Sequence, residues 1–295
     1  MNRFEGVYVV IVTPFRRNGE VDYAGIRKNV EWLVAQGIHG IVALGSTGEF
    51  ASLEDEEKTR VAEVALETVG GRVPVILGAT AETTDKAIRY AKEAKQMGAA
   101  GVLVLPSYYY TPNQDEIYVH YQRLSESAEI PIMVYNNPWS SKVDIKPETV
   151  ARLAGLSNVG GIKESTGDIK RITEIRTLTQ DRITIFCGWE DLAYESFLMG
   201  AKGWVCVIGN IMPKQAVALF DSVVVHRDLE HGWELYRRML PLLRYLEYEG
   251  KAQQTLKYVL DKKQLVGGAC RPPRLALRQE DKARIDGLLA GSGWS

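Results

Sequence analysis

Short runs of β-branched and aliphatic residues alternate along the chain with longer segments in which apolar residues recur at three- and four-residue spacing. The runs at 8–12, 40–44, 73–78, 101–105, 132–135, 160–163, 183–187 and 203–208 read as strands, and the segments between them carry the helical period. In 22–36, Ile26, Val30, Leu33 and Val34 form one stripe; in 84–97, Ala87, Tyr90, Ala91 and Ala94 do the same, and 53–69 is a helix rich in Glu and Lys. Eight strand–loop–helix units in series either close into a barrel or stay open as a doubly wound sheet. The count favours closure. The first strand also runs into Val12-Thr13-Pro14-Phe15, which lacks the glycines of a dinucleotide fingerprint.

The predicted fold is therefore of the α/β class, a (β/α)8 TIM barrel. After a barrel helix at 213–225, no strand pattern follows: 228–248, 251–260 and 280–289 read as helices. Gly267-Gly268 and Pro272-Pro273 mark an irregular crossing, and 291–295 is expected to fray. This divides the chain into a catalytic barrel over 1–225 and a C-terminal helical domain over 226–295.

Length fits that division, since 295 residues hold a barrel of about 250 with a small addition. Lys and Arg total 36 against 37 Asp and Glu, with no long basic run, so nothing attracts nucleic acid or an anionic membrane and the expected ligand is a small molecule. Cys187, Cys206 and Cys270 are too scattered for a disulfide framework and read as reduced. The apolar run at 7–12 is too short for a signal peptide, and no stretch approaches a membrane span, so the expected location is cytoplasmic. His39, His120, His226 and His231 lack metal-ligand spacing, so no metal is expected.

In such a barrel the active site forms at the C-terminal ends of the strands, where residues from several strands converge. Four ends carry reactive groups: Gly45-Ser46-Thr47-Gly48-Glu49, Pro106-Ser107-Tyr108-Tyr109-Tyr110, Tyr135-Asn136-Asn137-Pro138, and Lys163. Burial disfavours the ammonium form of a lysine and frees its lone pair for attack on a ketone; the alternative is an ion pair of Lys163 with Glu164. The glycine-flanked Ser46-Thr47 turn suits a small carboxylate, with phosphate also possible, or is simply a turn. Tyr135 alternates with Met133 and so faces inward, where a phenol can move protons or serve only as a strand residue.

The ordered set GSTGE, PSYYYTP, VYNNP and GIKES resembles the dihydrodipicolinate synthase and N-acetylneuraminate lyase superfamily over residues 4–289. The resemblance implies class I Schiff-base chemistry on a (β/α)8 barrel with a C-terminal helical domain, in a homodimer or homotetramer, with no cofactor beyond the covalent lysine imine. It makes Lys163 the imine-forming residue and Tyr135 the proton-moving phenol, with Ser46 and Thr47 holding the carboxylate of a 2-oxo acid such as pyruvate. Thr47 would link Tyr135 to Tyr109, which would reach across from a neighbouring subunit, and Gly188 and Val205 would line the pyruvyl pocket with backbone.

Two departures from the family pattern matter. Dihydrodipicolinate synthases usually carry an arginine two residues after the proline of the YNxP motif, to bind the aldehyde's carboxylate; this chain has Ser140, which cannot make a charged fork, and only Lys142 as a point charge beyond it. Aspartate semialdehyde is therefore not expected as the second substrate. Near the GSTGE helix, Phe50 would crowd and Lys58 repel the lysine bound by feedback-inhibited members, beside Asp55, so no lysine feedback is expected. Besides aldol addition or cleavage, the same imine serves sugar-acid dehydratases and hydroxyproline-pathway deaminases. A third reading is a non-catalytic barrel that binds a small acid.

Overall fold

The computed structural model describes residues 4–292. Eight parallel strands close in sequence order: β1 (Gly6–Val10), β2 (Gly40–Ala43), β3 (Val75–Gly78), β4 (Gly101–Val104), β5 (Ile132–Asn136), β6 (Val159–Glu164), β7 (Thr184–Cys187) and β8 (Gly203–Cys206), with β1 pairing β8. Around them run α1 (Tyr23–Ala35), α2 (Asp55–Val69), α3 (Thr84–Gln96), α4 (Gln114–Ala128), α5 (Pro138–Ser141), α6 (Pro147–Leu153), α7 (Lys170–Thr179), α8 (Ala193–Leu198) and α9 (Pro213–Phe220). The barrel and its eight strands are those expected from the alternation.

Three strand ends, two of β1 and one of β8, move for a physical reason. β1 starts at Gly6, because Gly6 pairs with Gly203 and Tyr8 with Gly40, and the chain leaves the ladder before Val12, whose N–H donates to the Asn210 side chain at 3.3 Å. β8 stops at Cys206 because the next two amides, of Val207 and Ile208, donate to the Glu190 carboxylate at 2.8 and 3.0 Å. The expected helix at 213–225 ends as α9 and a π-helical turn, Asp221–Val225.

Alternate strand residues face opposite sides, and the inward set, including Tyr8, Val42, Ile76, Met133, Phe186 and Val205, packs into its own cluster inside the barrel. Two large rings fill it because two glycines make room. A Cβ on Gly40 would lie 2.2 Å from the Tyr8 ring, and one on Gly203 would lie 2.2 Å from that of Phe186. The rings then meet edge to face, centroids 5.5 Å apart, the arrangement their quadrupoles favour. The outward residues pack against the ring of helices in a second, larger cluster.

The C-terminal helices are α10 (Leu229–Tyr248), α11 (Ala252–Lys262) and α12 (Gln279–Gly291). Gly291 closes α12 rather than fraying, and the Ser292 amide donates to Leu288 at 3.1 Å; residues 293–295 lie outside the described residues. The crossing through Gly267 and Gly268 is irregular as expected and ties the appendage to the barrel. Lys257 Nζ on α11 donates to Glu49 Oε1 and to the Ala269 carbonyl, both at 2.6 Å. The Arg271 amide donates to the other Glu49 oxygen at 3.2 Å, and its guanidinium forks onto Glu57. No helix among the described residues is long and apolar enough to cross a membrane.

The Lys257–Glu49 pair is buried on both sides, so removing one partner strands a charge in the interior, at a cost of about 3–5 kcal/mol. Lys257→Met is expected to lower the unfolding free energy by that order in chemical denaturation. The double variant with Glu49→Gln should recover part of the loss.

Candidate active site

Tyr135 and Lys163 are direct neighbours across β5 and β6, so strand alternation alone turns both side chains inward. Both are about 6% exposed, and Lys163 Nζ lies 4.4 Å from the centre of the Tyr135 ring. Glu164, the next residue, faces the other way, where its carboxylate accepts from Asn136 Nδ2 at 3.0 Å and the Thr166 amide at 2.8 Å. Burial pushes its carboxyl above the ordinary value. An ion pair between Lys163 and Glu164 is thereby excluded by the direction of the strand.

Room for the lysine comes from Gly188, directly after β7. A Cβ there would lie 2.0 Å from Ser165 Oγ and 2.7 and 2.8 Å from Lys163 Cγ and Cε. Ser165 Oγ instead donates to the Gly188 carbonyl at 2.9 Å. No side chain fits at this position while Lys163 keeps its course.

The loop after β2 is shaped by strain and by a distant clamp. Leu44 has φ 61°, in the left-handed region, at a cost of about 1–3 kcal/mol for a residue other than glycine. A single 3-10 turn follows, Ser46–Gly48, whose leading amides have no acceptor within the turn. Thr13 Oγ1 donates to the Gly48 carbonyl at 2.8 Å, and Gln253 Nε2 to that of Ser46 at 3.3 Å. The turn thus presents amides and hydroxyls to the cavity, a chemistry suited to a carboxylate.

Ser46, Thr47, Tyr135, Ser140, Lys163 and Gly188 line one cavity of about 500 Å3 at the C-terminal mouth of the barrel. Another recess, of about 670 Å3, runs beside Val73 and Ala100 at the N-terminal ends of β3 and β4, the end of such barrels that serves stability. Two expected details differ, and Tyr109 lies where its expected reach toward a neighbouring subunit leaves it. Val205 is buried in the layer beneath, and Val207 lines the cavity in its place. Among the described residues no hydrogen bond joins Thr47 to Tyr135; the phenol oxygen accepts from Asn137 Nδ2 at 2.9 Å. Tyr109 is 76% exposed and stays out of its own chain's cavity, on a loop pinned by Glu82, which accepts from Ser107 Oγ and the amides of Tyr108 and Tyr109.

Sequence reasoning gave no role to Asn137, Trp189, Glu190 or Glu247, all of which line the cavity. The first three directly follow β5 or β7, so the strand-end rule that exposed Lys163 points to them as well. Glu247 sits in the last turn of α10, and nothing in its neighbourhood of the sequence marks it. Glu190 is pushed up to about 8, first by burial and then by the charge of Glu247, against the pull of the two amides it accepts. Burial likewise pushes Glu247 up to about 7, against the Glu190 amide and the charge of Lys163. Among the described residues no three His, Cys, Asp or Glu side chains are grouped to hold a metal; His39 Nδ1 accepts from the Val7 amide, and His120 Nδ1 pairs with the Thr84 hydroxyl.

A sequence profile of the dihydrodipicolinate synthetase family matches residues 3–291. The chain belongs to that family. It is accordingly a lyase. The 4-hydroxy-tetrahydrodipicolinate synthase of Thermodesulfovibrio yellowstonii is 35% identical over 98% of this chain and 99% of its own. Among solved structures, dihydrodipicolinate synthase from Thermotoga maritima aligns over 100% of both chains at 33% identity and a TM-score of 0.95. That from Acinetobacter baumannii, complexed with pyruvate, covers 99% of both at 32% identity and a TM-score of 0.93.

Two outcomes follow from this geometry for the family member. Gly188→Ala should displace the Lys163 side chain, read in a crystal structure of the variant, with the far-UV circular dichroism spectrum unchanged. Because Glu190 and Glu247 hold protons in the folded chain above their ordinary 4.5, the native state binds more protons than the unfolded one from about pH 4.5 to 8. Their contribution to stability therefore falls as pH rises through that window. Urea midpoints at three pH values should show a shallower fall for Glu190→Gln.

Proposed function

We propose that the chain is a class I aldolase that forms an imine between Lys163 and C2 of pyruvate or a related 2-oxo acid, then makes or breaks a carbon–carbon bond at C3. The observation that carries this reading is the Lys163 amine, buried over the Tyr135 ring in a cavity that also holds the Ser46-Thr47 turn. The Thermotoga and Acinetobacter likenesses support it.

The substrate carboxylate sits on the amides and hydroxyls of Ser46 and Thr47, which aims C2 at Lys163 Nζ. The neutral amine adds to the ketone, giving a carbinolamine, and loss of water leaves a protonated imine. Its positive nitrogen draws electrons from C3, so a C3 proton departs and the resulting enamine attacks an aldehyde carbon; cleavage is the same path reversed. The proton steps need a hydroxyl near the nitrogen and the leaving oxygen, and the Tyr135 phenol takes that part in this reading, since its ring lies beside Lys163 Nζ and its oxygen accepts from Asn137. No further cofactor is required, because the imine itself is the electron sink.

Tyr109 completes the relay from a second copy of the chain, paired as a homodimer or within a homotetramer. Its exposed ring on a pinned loop supports that arrangement. The Phe50 ring lies edge-on to Tyr108, and Lys58 sits near Lys86 and Arg89 around Asp55 and Tyr90, a cationic setting that disfavours a bound lysine.

Borohydride reduction in the presence of pyruvate should attach a stable three-carbon adduct to the peptide containing Lys163, read by mass spectrometry. Lys163→Ala should give none. Tyr135→Phe should keep its fold and lose about 100-fold or more in turnover, the usual scale for a positioned acid–base group. An unlabelled wild-type peptide would refute the imine. Millimolar lysine should leave the initial rate unchanged.

A further inference from the structure

A three-carbon acid on Lys163, Ser46 and Thr47 fills only the inner part of a cavity of about 500 Å3. The outer part has a distinct chemistry. Trp139, Trp189 and Tyr248 form a continuous aromatic wall, with centroids 6.1 Å apart for the first pair and 6.3 Å for the second. Two carboxyls, Glu190 and Glu247, line the same cavity, and among the described residues Lys163 is the only cationic side chain of the lining. Ser140 offers no charge. An aldehyde ending in a carboxylate would meet two acids and no free cation.

The two acids are not equivalent. Both oxygens of Glu190 are taken by the Val207 and Ile208 amides, which makes it a positioning residue for the wall after β8. Glu247 spends Oε1 on the Glu190 amide at 2.6 Å, and no hydrogen bond among the described residues engages its Oε2. The free Glu247 oxygen is an acceptor that a substrate hydroxyl can meet as donor, whereas a carboxylate has no proton to donate to it.

We propose that Glu247 determines specificity for the second substrate, selecting an uncharged, hydroxyl-bearing aldehyde whose C–H face lies on the Trp139–Trp189–Tyr248 wall and rejecting one that ends in a carboxylate. This selection rests on the imine chemistry proposed above. Glu247 is faced by Glu190 and Asp191 from the turn after β7 and by Lys163 from β6, while Arg244 on its own helix is drawn to Asp191 at 3.5 Å. Since burial pushes Glu247 up to about 7, rejection of an anion strengthens as pH rises through neutrality.

The test uses the full chain with saturating pyruvate and two four-carbon aldehydes, erythrose and succinate semialdehyde, comparing kcat/KM at pH 6 and 8. Common titrations of the imine cancel in the ratio. The wild type should favour erythrose at least tenfold, more so at pH 8. Glu247→Gln should shrink the preference severalfold and weaken its pH dependence, and Ser140→Arg, at an exposed position, should shift it toward succinate semialdehyde. Equal or better use of succinate semialdehyde by the wild type, turnover of neither aldehyde, or a ratio indifferent to both substitutions overturns the role of Glu247. Loss of borohydride trapping with pyruvate in the wild-type chain overturns instead the imine on which that role depends.

Discussion

A lysine amine held inside a closed barrel against a phenol ring is the constraint that organises this molecule. It can be there only because parallel strands alternate their faces, because β5 and β6 set Tyr135 opposite Lys163, and because the position beside them has no side chain. Each condition belongs to a different level, respectively backbone geometry, register and residue choice. Shifting the register by one residue would turn Lys163 among the outer helices and bring Glu164 into the cavity.

Much of this is legible in the sequence, since eight apolar runs separated by helical periods leave few topologies available. Strand ends then name Lys163, Tyr135 and the Ser46-Thr47 turn without coordinates. What stays hidden is set by long-range partners. The limits of β1 and β8 depend on where Asn210 and Glu190 accept backbone amides, which no local pattern encodes. Val205 lies one layer lower than expected, because strand position alone does not say where the floor of a cavity lies. The partner of the Tyr135 phenol is Asn137, two residues on and facing the same side.

Glu247 shows the limit most clearly. In the sequence it is one acid among several on an amphipathic helix, indistinguishable from the solvated residues around it. Only the docking of α10 against the turn after β7 makes it a wall of the cavity and raises its affinity for a proton. The barrel places the Lys163 amine, whereas the helical appendage adds Glu247 and Tyr248 to the cavity around it. That division lets one scaffold keep its barrel lining while the rest of the cavity changes by substitutions far from the strands.

The clamp between Glu49 and Lys257 of the appendage joins residues 208 positions apart in the chain. During synthesis the Ser46-Thr47 turn therefore emerges long before the residues that brace it. The turn can take its full set of contacts only after the last helices have been made, because both Lys257, which holds Glu49, and Gln253, which holds the Ser46 carbonyl, lie on α11.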